Sequence, residues 1–137
     1  MSGYNYGRVY AFARRNAKVR GIDFKLTREE FDQLVDDSRG SCQATDLPFR
    51  FEPVGFGRRR PFAPSLDRII PEWGYYPGNC RLVCVIFNLA MNEWGIEPLH
   101  MLCRGVLANV DLIADDEHRA RLVFDDWQET QAKREAA

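Results

Sequence analysis

The hydrophobic pattern at the start of the chain is that of a helix. Residues 7–20 carry apolar side chains at three- and four-residue spacings, which predicts an amphipathic helix. Gly21 follows where a helix commonly ends in a left-handed cap. Residues 22–26 then alternate apolar and polar, as in a short strand or an extended link. We expect the apolar side of the helix to consist of Val9, Phe12, Ala13 and Val19.

A second helix has a well-defined start. Thr27 and Glu30 stand three residues apart, the spacing of a capping box, in which two side chains bond two otherwise unpaired backbone N–H groups. We therefore predict a helix over Arg28–Ser38 that ends at Gly40. Three of its residues are predicted to face the core: Phe31, Leu34 and Val35.

The middle of the chain has the pattern strand, turn, strand, helix. A loop-rich segment, 41–63, precedes two short apolar runs at 65–70 and 81–84, which predict strands. Between them, 71–78 contains the proline and glycine residues typical of turns. Residues 85–94 then predict a helix. Two of its aromatic residues are expected in the core: Phe87 and Trp94.

The C-terminal third is predicted to form two helices. Their ranges are Glu97–Val110 and Asp115–Lys133, joined around Ile113 and Ala114. Apolar residues of 96–113 recur at helical spacing and suit either a core or a surface for a partner helix. A homodimer through these helices is the partner arrangement that the pattern allows.

Composition places the chain among globular proteins. It has 137 residues, 45% hydrophobic and 12% aromatic, which is the size of one domain with a real core. No apolar run approaches the length of a membrane span, and the first residues lack the apolar region of a signal peptide. We therefore expect a cytoplasmic protein without a membrane partner.

The charge is unevenly distributed along the chain. The net charge is −1, but residues 1–82 carry +4 and residues 83–137 carry −5. Basic patches confined to one part of a chain are typical of phosphate binding, although a solvated helix face gives the same pattern. The residues that we expect to contact nucleic acid are Arg14, Arg15, Lys18, Arg58, Arg59 and Arg60.

The four cysteines do not form the paired knuckles of a zinc site. Cys80 and Cys84 are spaced as one knuckle, but Cys42 has Thr45 at the position of a partner, and Cys103 stands alone. We expect buried free thiols and no structural zinc ion, because free cysteine is among the most buried residue types.

The central segment combines groups that suit a small cation. Asp67 leaves the first predicted strand and Asn88 lies near the start of the helix, so a compact arrangement of two strands and a helix would bring their oxygens together. Carboxylate and amide oxygens are preferred ligands of hard cations such as Mg²⁺ or Mn²⁺. Asn79 follows a glycine and is expected to bridge the intervening loop by hydrogen bonds.

An ordered set of motifs resembles the HNH endonuclease family, also called His-Me finger or ββα-metal nucleases, and most closely a phage and prophage branch. Its parts here are GSCQATDLPF at 40–49, PSLDRI at 64–69, GYYPGN at 74–79, RLVC at 81–84 and Asn88. The resemblance implies an α+β fold in a single domain. Basic helices at 1–40 would precede a ββα-metal core at 41–95 and a helical extension at 96–137.

The resemblance also implies roles for individual residues. Asp67 matches the metal-binding acid, Asn79 the asparagine that supports the catalytic loop, and Asn88 the last metal ligand. Arg68 stands where the family has the histidine that activates water. Arginine stays protonated and cannot act as that base, but it can hold a phosphate. The metal or a nearby group would then activate water: Glu72, Tyr75 or Tyr76.

The resemblance leads to a prediction about function. We expect a metal-dependent DNA endonuclease that hydrolyses phosphodiester bonds with Mg²⁺ or Mn²⁺ held by Asp67 and Asn88, encoded by a bacterium, phage or prophage. Two alternatives remain open. One is a catalytically impaired HNH-like module that binds nucleic acid or protein in a phage or host-defence setting. The other is a structural domain whose acidic C-terminal helices dimerise or bind a partner.

Overall fold

The protein contains five helices and a two-stranded antiparallel sheet within residues 3–137, the range that the computed structural model describes. It is therefore an α+β protein, as predicted. The elements in chain order are α1 Tyr6–Arg20, α2 Arg28–Ser38, β1 Pro64–Arg68, β2 Cys80–Cys84, α3 Val85–Met91, α4 Ile96–Ala108 and α5 Val110–Ala136.

The chain divides into two compact units, Met1–Glu97 and Pro98–Ala137. The first contains α1, α2, the sheet and α3, together with the residues predicted to form the site. The second consists of most of α4 and all of α5. The chemistry discussed below therefore lies in the first unit.

Helix α1 has the predicted extent but not the predicted buried side. Gly21 caps it with φ 68°, in the left-handed region that glycine adopts without steric cost. Ala13 and Ala17 are buried, whereas Phe12 and Val19 are 58% and 82% exposed. The prediction for these two residues was wrong because the small alanines let α1 approach the core closely, which turns Phe12 and Val19 outward.

Helix α2 agrees with the prediction in its bounds and in its capping box. The Thr27 hydroxyl accepts a hydrogen bond from the Glu30 N–H at 3.2 Å, and the Glu30 carboxylate accepts one from the Thr27 N–H at 2.8 Å. Phe31 is fully buried, and Leu34 and Val35 pack against the same core. The helix is therefore anchored at its start and along its inner side.

Strands β1 and β2 form a hairpin whose register decides which side chains meet. Leu66 lies opposite Leu82, and Asp67 lies opposite Arg81. Side chains alternate between the two faces of a strand, so Leu66 and Leu82 enter the buried core while Asp67 and Arg81 share the other face. Helix α3 follows β2 directly and ends at Met91, earlier than predicted.

The turn between the strands packs against the link that follows α1. The Tyr75 N–H donates to the Asp23 carbonyl, and the Tyr75 carbonyl accepts from Lys25 and Leu26. A side chain at Gly74 would place its Cβ 2.6 Å from the Asp23 carbonyl oxygen, so only glycine allows this close approach. The long turn is thereby held in place.

The C-terminal helices meet at a different point from the one predicted. The break between them is at Asn109, not around Ile113 and Ala114. The Asn109 side chain donates to the Gly105 carbonyl at 2.9 Å, a local bond of the kind that competes with regular helix. Trp94, expected in the core, is 68% exposed, because α3 ends before it. Within residues 3–137, no helix combines the length and apolar character needed to cross a membrane.

Candidate functional site

A groove of about 1000 Å³ lies beside the sheet in the first unit. Asp67 from β1 and Asn88 from α3 both line it, as does Arg68. The three residues that the sequence predicted to surround a cation and a phosphate therefore line the same groove.

Asp67 is a buried carboxylate with one charged partner on the opposite strand. It is 3% exposed, and its Oδ2 accepts a hydrogen bond from Arg81 Nε at 2.8 Å. Burial raises the pKa of the Asp67 carboxyl, and the guanidinium groups of Arg81 and Arg68 oppose that rise. The Arg68 backbone N–H lowers the pKa of this carboxyl as well. Among the side chains of residues 3–137, none donates a hydrogen bond to Oδ1, so this is the oxygen that we consider as a ligand.

The Asn88 amide is oriented by β1. Its Nδ2 donates to Ser65 Oγ at 2.8 Å and to the Leu66 carbonyl at 3.2 Å. Ser65 and Asp67 are two residues apart on one strand and share a face, so Asn88 lies on the face that carries Asp67. With Nδ2 engaged, Oδ1 is the amide atom available as a ligand.

This set of oxygens suits one hard cation with few protein ligands. Asp67 and Asn88 offer a carboxylate and an amide oxygen, the donors that Mg²⁺ and Mn²⁺ prefer. Across residues 3–137, no three His, Cys, Asp or Glu side chains converge on a point where they would hold a metal. A cation here would therefore take most of its ligands from water or from phosphate oxygens.

Arg68 is bound to the turn that follows β1. Its Nη1 donates to the carbonyls of Pro71 at 2.5 Å and Trp73 at 3.0 Å, and its guanidinium lies 5.3 Å from the centre of the Tyr75 ring. Because guanidinium carries five N–H donors, these bonds leave others for a ligand in the groove. The role of Arg68 in phosphate contact stays a prediction.

Asn79 closes the same turn by three side-chain hydrogen bonds. Its Oδ1 accepts from the Ile70 N–H at 2.9 Å, and its Nδ2 donates to the carbonyls of Ile70 at 3.2 Å and Gly74 at 2.9 Å. The residue is 5% exposed. Asn79 thus bridges the turn as predicted from the sequence.

The arginine-rich segments contribute to the rim of the groove. Arg15 and the consecutive Arg58, Arg59 and Arg60 line it. Arg14 and Lys18 are exposed on α1 but are not among the groove residues, because they lie on a different side of the helix. Further groove residues on α1 are Arg8, Phe12, Asn16 and Arg20.

The groups considered as alternatives to a histidine base differ in their surroundings. Burial raises the pKa of the Tyr75 phenol, and a hydrogen bond to Asp23 raises the pKa of the Tyr76 phenol. Both therefore remain protonated at neutral pH, which disfavours them as bases. Glu72 is exposed in the turn. Glu93 is the second carboxylate of the groove, and it pairs with Arg20 at 2.5 Å.

The cysteines are free, and three of them are buried as predicted. Cys42, Cys80 and Cys84 are buried, whereas Cys103 is exposed, contrary to the prediction. Burial is the main factor that raises the pKa of the Cys84 thiol. Burial and the Asp67 charge raise the pKa of Cys80 to about 12, so this thiol stays neutral at physiological pH.

Two residues of the site were missed in the sequence. Arg81, which pairs with Asp67, and Ser65, which orients Asn88, lie within strand motifs whose sequence predicts no role for either side chain. Their positions follow from the register Asp67–Arg81 and Ser65–Val83. The alternation of apolar and polar residues indicates which side chains share a face of each strand. It does not give the register between the strands, because the connection between them (69–79) is eleven residues long.

Comparison with known proteins gives one weak similarity. No protein-family model and no solved structure matches the chain. A protein of Acanthamoeba polyphaga mimivirus, described as uncharacterized, is 27% identical over 84 residues, which are 61% of this chain and 13% of that protein. The chain thus spans a small part of this relative's length.

Proposed function

We propose that the protein is a metal-dependent DNA endonuclease with a ββα core of the HNH type. The observation that carries the proposal is the placement of Asp67 on β1 and Asn88 on α3 along one groove with an arginine-lined rim. A pair of metal ligands alone would suit many functions, but the arginines beside them favour a polyanionic ligand. A phosphodiester backbone in contact with both features is the substrate that fits best.

In this proposal, different residues of the groove serve DNA binding and the hydrolytic reaction. Arg15 and Arg58–Arg60 hold the phosphate backbone by charge. Asp67 and Asn88 provide the oxygens for Mg²⁺ or Mn²⁺, which when bound stabilises negative charge on the scissile phosphate and its leaving oxygen. Asn79 keeps the turn closed, and the turn carbonyls hold Arg68 at the groove. Arg68 then contacts phosphate through its remaining N–H groups.

A second candidate function is a nucleic-acid-binding module without hydrolytic activity. One observation favours it: Asp67 is already paired with Arg81. The resemblance adds that Arg68, which cannot act as a base, stands at the position expected for the base. Such a module would use the same groove and the same arginines. The two functions differ in whether bound DNA is cut.

A plasmid assay tests the proposal. The purified protein is incubated with supercoiled plasmid and Mg²⁺ or Mn²⁺, and parallel samples contain EDTA. We expect nicked or linear DNA only when the metal is present. Binding without cleavage under all metal conditions would support the module instead, and absence of both would remove the nucleic-acid function.

The arginine triplet should contribute a salt-dependent part of DNA affinity. Replacing Arg58, Arg59 and Arg60 with glutamine is expected to weaken DNA binding. The slope of log K against log salt should fall by about 0.9 for each phosphate that the variant no longer neutralises. Binding is measured by fluorescence anisotropy over a range of salt concentrations.

A triple variant in the second unit is the matched control for the arginine triplet. Replacing Arg104, Arg119 and Arg121 with glutamine changes the net charge equally, and these residues do not line the groove. We expect this variant to keep the salt slope of the original protein. An equal decrease of affinity in both triple variants would show that overall charge, not the groove, determines DNA binding.

A further inference from the structure

Arg81 is fixed between the two elements that carry the proposed metal ligands. On one side its Nε donates to Asp67 Oδ2 on β1 at 2.8 Å. On the other side its guanidinium lies 5.1 Å from the centre of the Phe87 ring, and its Nη2 lies 3.5 Å from Met91 Sδ. Phe87 and Met91 are on α3, the helix of Asn88. Arg81 therefore links strand and helix across the site.

The contact between Arg81 and Asp67 uses a single carboxylate oxygen. The guanidinium engages Oδ2 through Nε, whereas Oδ1 receives no hydrogen bond from the side chains of residues 3–137. The Arg81 side chain is 20% exposed and that of Asp67 is 3% exposed, so solvent screens this pair only in part. The Asp67 charge is thus largely balanced by Arg81, and Oδ1 is free of side-chain hydrogen bonds within residues 3–137.

We propose that Arg81 is a resident counter-cation of Asp67 that makes divalent-ion binding depend on a phosphate group of the nucleic acid. This inference rests on the proposed function, because it assumes that the ion binds at Asp67 and Asn88. It assigns Arg81 a positioning role: the residue acts on the metal through Asp67 and does not itself contact the ion.

The physical reason is the charge of the site before DNA arrives. A lone carboxylate attracts a divalent cation. A carboxylate already paired with a guanidinium presents almost no net charge, and the guanidinium repels a divalent ion that approaches the same carboxylate. Asn88 adds no charge. A phosphate in the groove adds the missing negative charge and supplies further oxygen ligands. Metal and DNA should then increase each other's affinity by the same factor.

Mn²⁺ affinity, measured with and without DNA, tests this coupling in the unmodified protein. Free Mn²⁺ is followed by electron paramagnetic resonance while protein is titrated with the ion, alone and with a short DNA duplex, after subtraction of the ion bound by the duplex itself. We expect the duplex to tighten Mn²⁺ binding by about tenfold, within the usual range for coupled sites. Equal affinity in both titrations would overturn the inference without requiring any variant.

Two substitutions of Arg81 separate charge from packing. Arg81→Met removes the charge, and we expect it to bind Mn²⁺ about tenfold more tightly without DNA and to gain little more when the duplex is added. Arg81→Lys keeps the charge and should retain the DNA-dependence of the original protein. Thermal melting followed by circular dichroism identifies a variant that does not fold. Weaker or unchanged Mn²⁺ binding by folded Arg81→Met would contradict the proposal.

Asp67→Ala distinguishes a failure of this inference from a failure of the proposed function. If, with the duplex present, Asp67→Ala binds Mn²⁺ as well as the original protein, or if neither binds it, the metal site itself is wrong and both proposals fall. If nicking requires Asp67 and metal, yet Mn²⁺ affinity does not respond to DNA, only the role of Arg81 is overturned.

Discussion

Asp67→Asn is expected to lower metal-dependent nicking by about a hundredfold or more, since removal of one electrostatic stabilising group typically costs about 10²–10³ in rate. Asparagine has the shape of aspartate and keeps an oxygen that accepts from Arg81 Nε. It lacks the negative charge of Asp67, which is the one carboxylate among the two proposed ligands of the divalent cation. The rate of conversion of supercoiled to nicked plasmid measures the effect.

The same substitution should affect stability less than activity. Removing one partner of a fully buried ion pair costs about 3–5 kcal/mol, but the Arg81 side chain is 20% exposed and can recover hydration. We therefore expect the free energy of unfolding to fall by about 1–3 kcal/mol, as measured by urea denaturation. The protein should remain folded at room temperature, so the loss of nicking would report on the site.

Asp32→Asn provides the matched control for Asp67. Asp32 is an exposed residue of α2 whose carboxylate pairs with Arg28 at 2.9 Å and does not line the groove. The same chemical change there should leave nicking at the original rate. Nicking by Asp67→Asn at the rate of Asp32→Asn would show that Asp67 is not part of a reactive site.

Asn79→Ala is expected to reduce the free energy of unfolding by about 3 kcal/mol, because it leaves buried backbone groups without partners. The substitution removes three hydrogen bonds at once, two to Ile70 and one to Gly74. Water cannot easily replace them at a residue that is 5% exposed. Urea denaturation followed by circular dichroism gives the change.

Asn16→Ala is the control for this stability effect. Asn16 is exposed on α1, and surface substitutions of this kind usually change stability by less than about 0.5 kcal/mol. A difference of a few kcal/mol between the two variants would establish that the Asn79 side chain maintains the turn. Equal midpoints would mean that backbone contacts alone hold it.

Local sequence signals predicted most of the elements. The glycine cap at Gly21 predicted the end of α1, and the capping box of Thr27 and Glu30 predicted the start of α2. Such signals are local, because the groups that bond the unpaired backbone at a helix end lie within a few residues of it. Both strands were predicted to within two residues of their observed bounds. The break at Asn109, where the side chain donates to the Gly105 carbonyl, was missed, because a local bond of this kind leaves little trace in the apolar pattern.

Burial was predicted less well than secondary structure. Phe12 was assigned to the core and lines the groove instead, and Trp94 was assigned to a helix that ends before it. A periodic pattern shows that a helix has an apolar side, but not how closely that side approaches its neighbours. On α1 the closest approach occurs at Ala13 and Ala17, whose small side chains carry a weak hydrophobic signal.

The sequence by itself determined which chemical groups are available: a carboxylate at Asp67, amides at Asn79 and Asn88, and arginine where a base is expected. Only the tertiary structure decided which partners these groups have. The hairpin register placed Arg81 opposite Asp67, and the packing of α3 on β1 turned Asn88 toward Ser65. Such contacts join residues 14 to 23 positions apart, and they depend on strand pairing and helix packing, which short-range patterns do not specify.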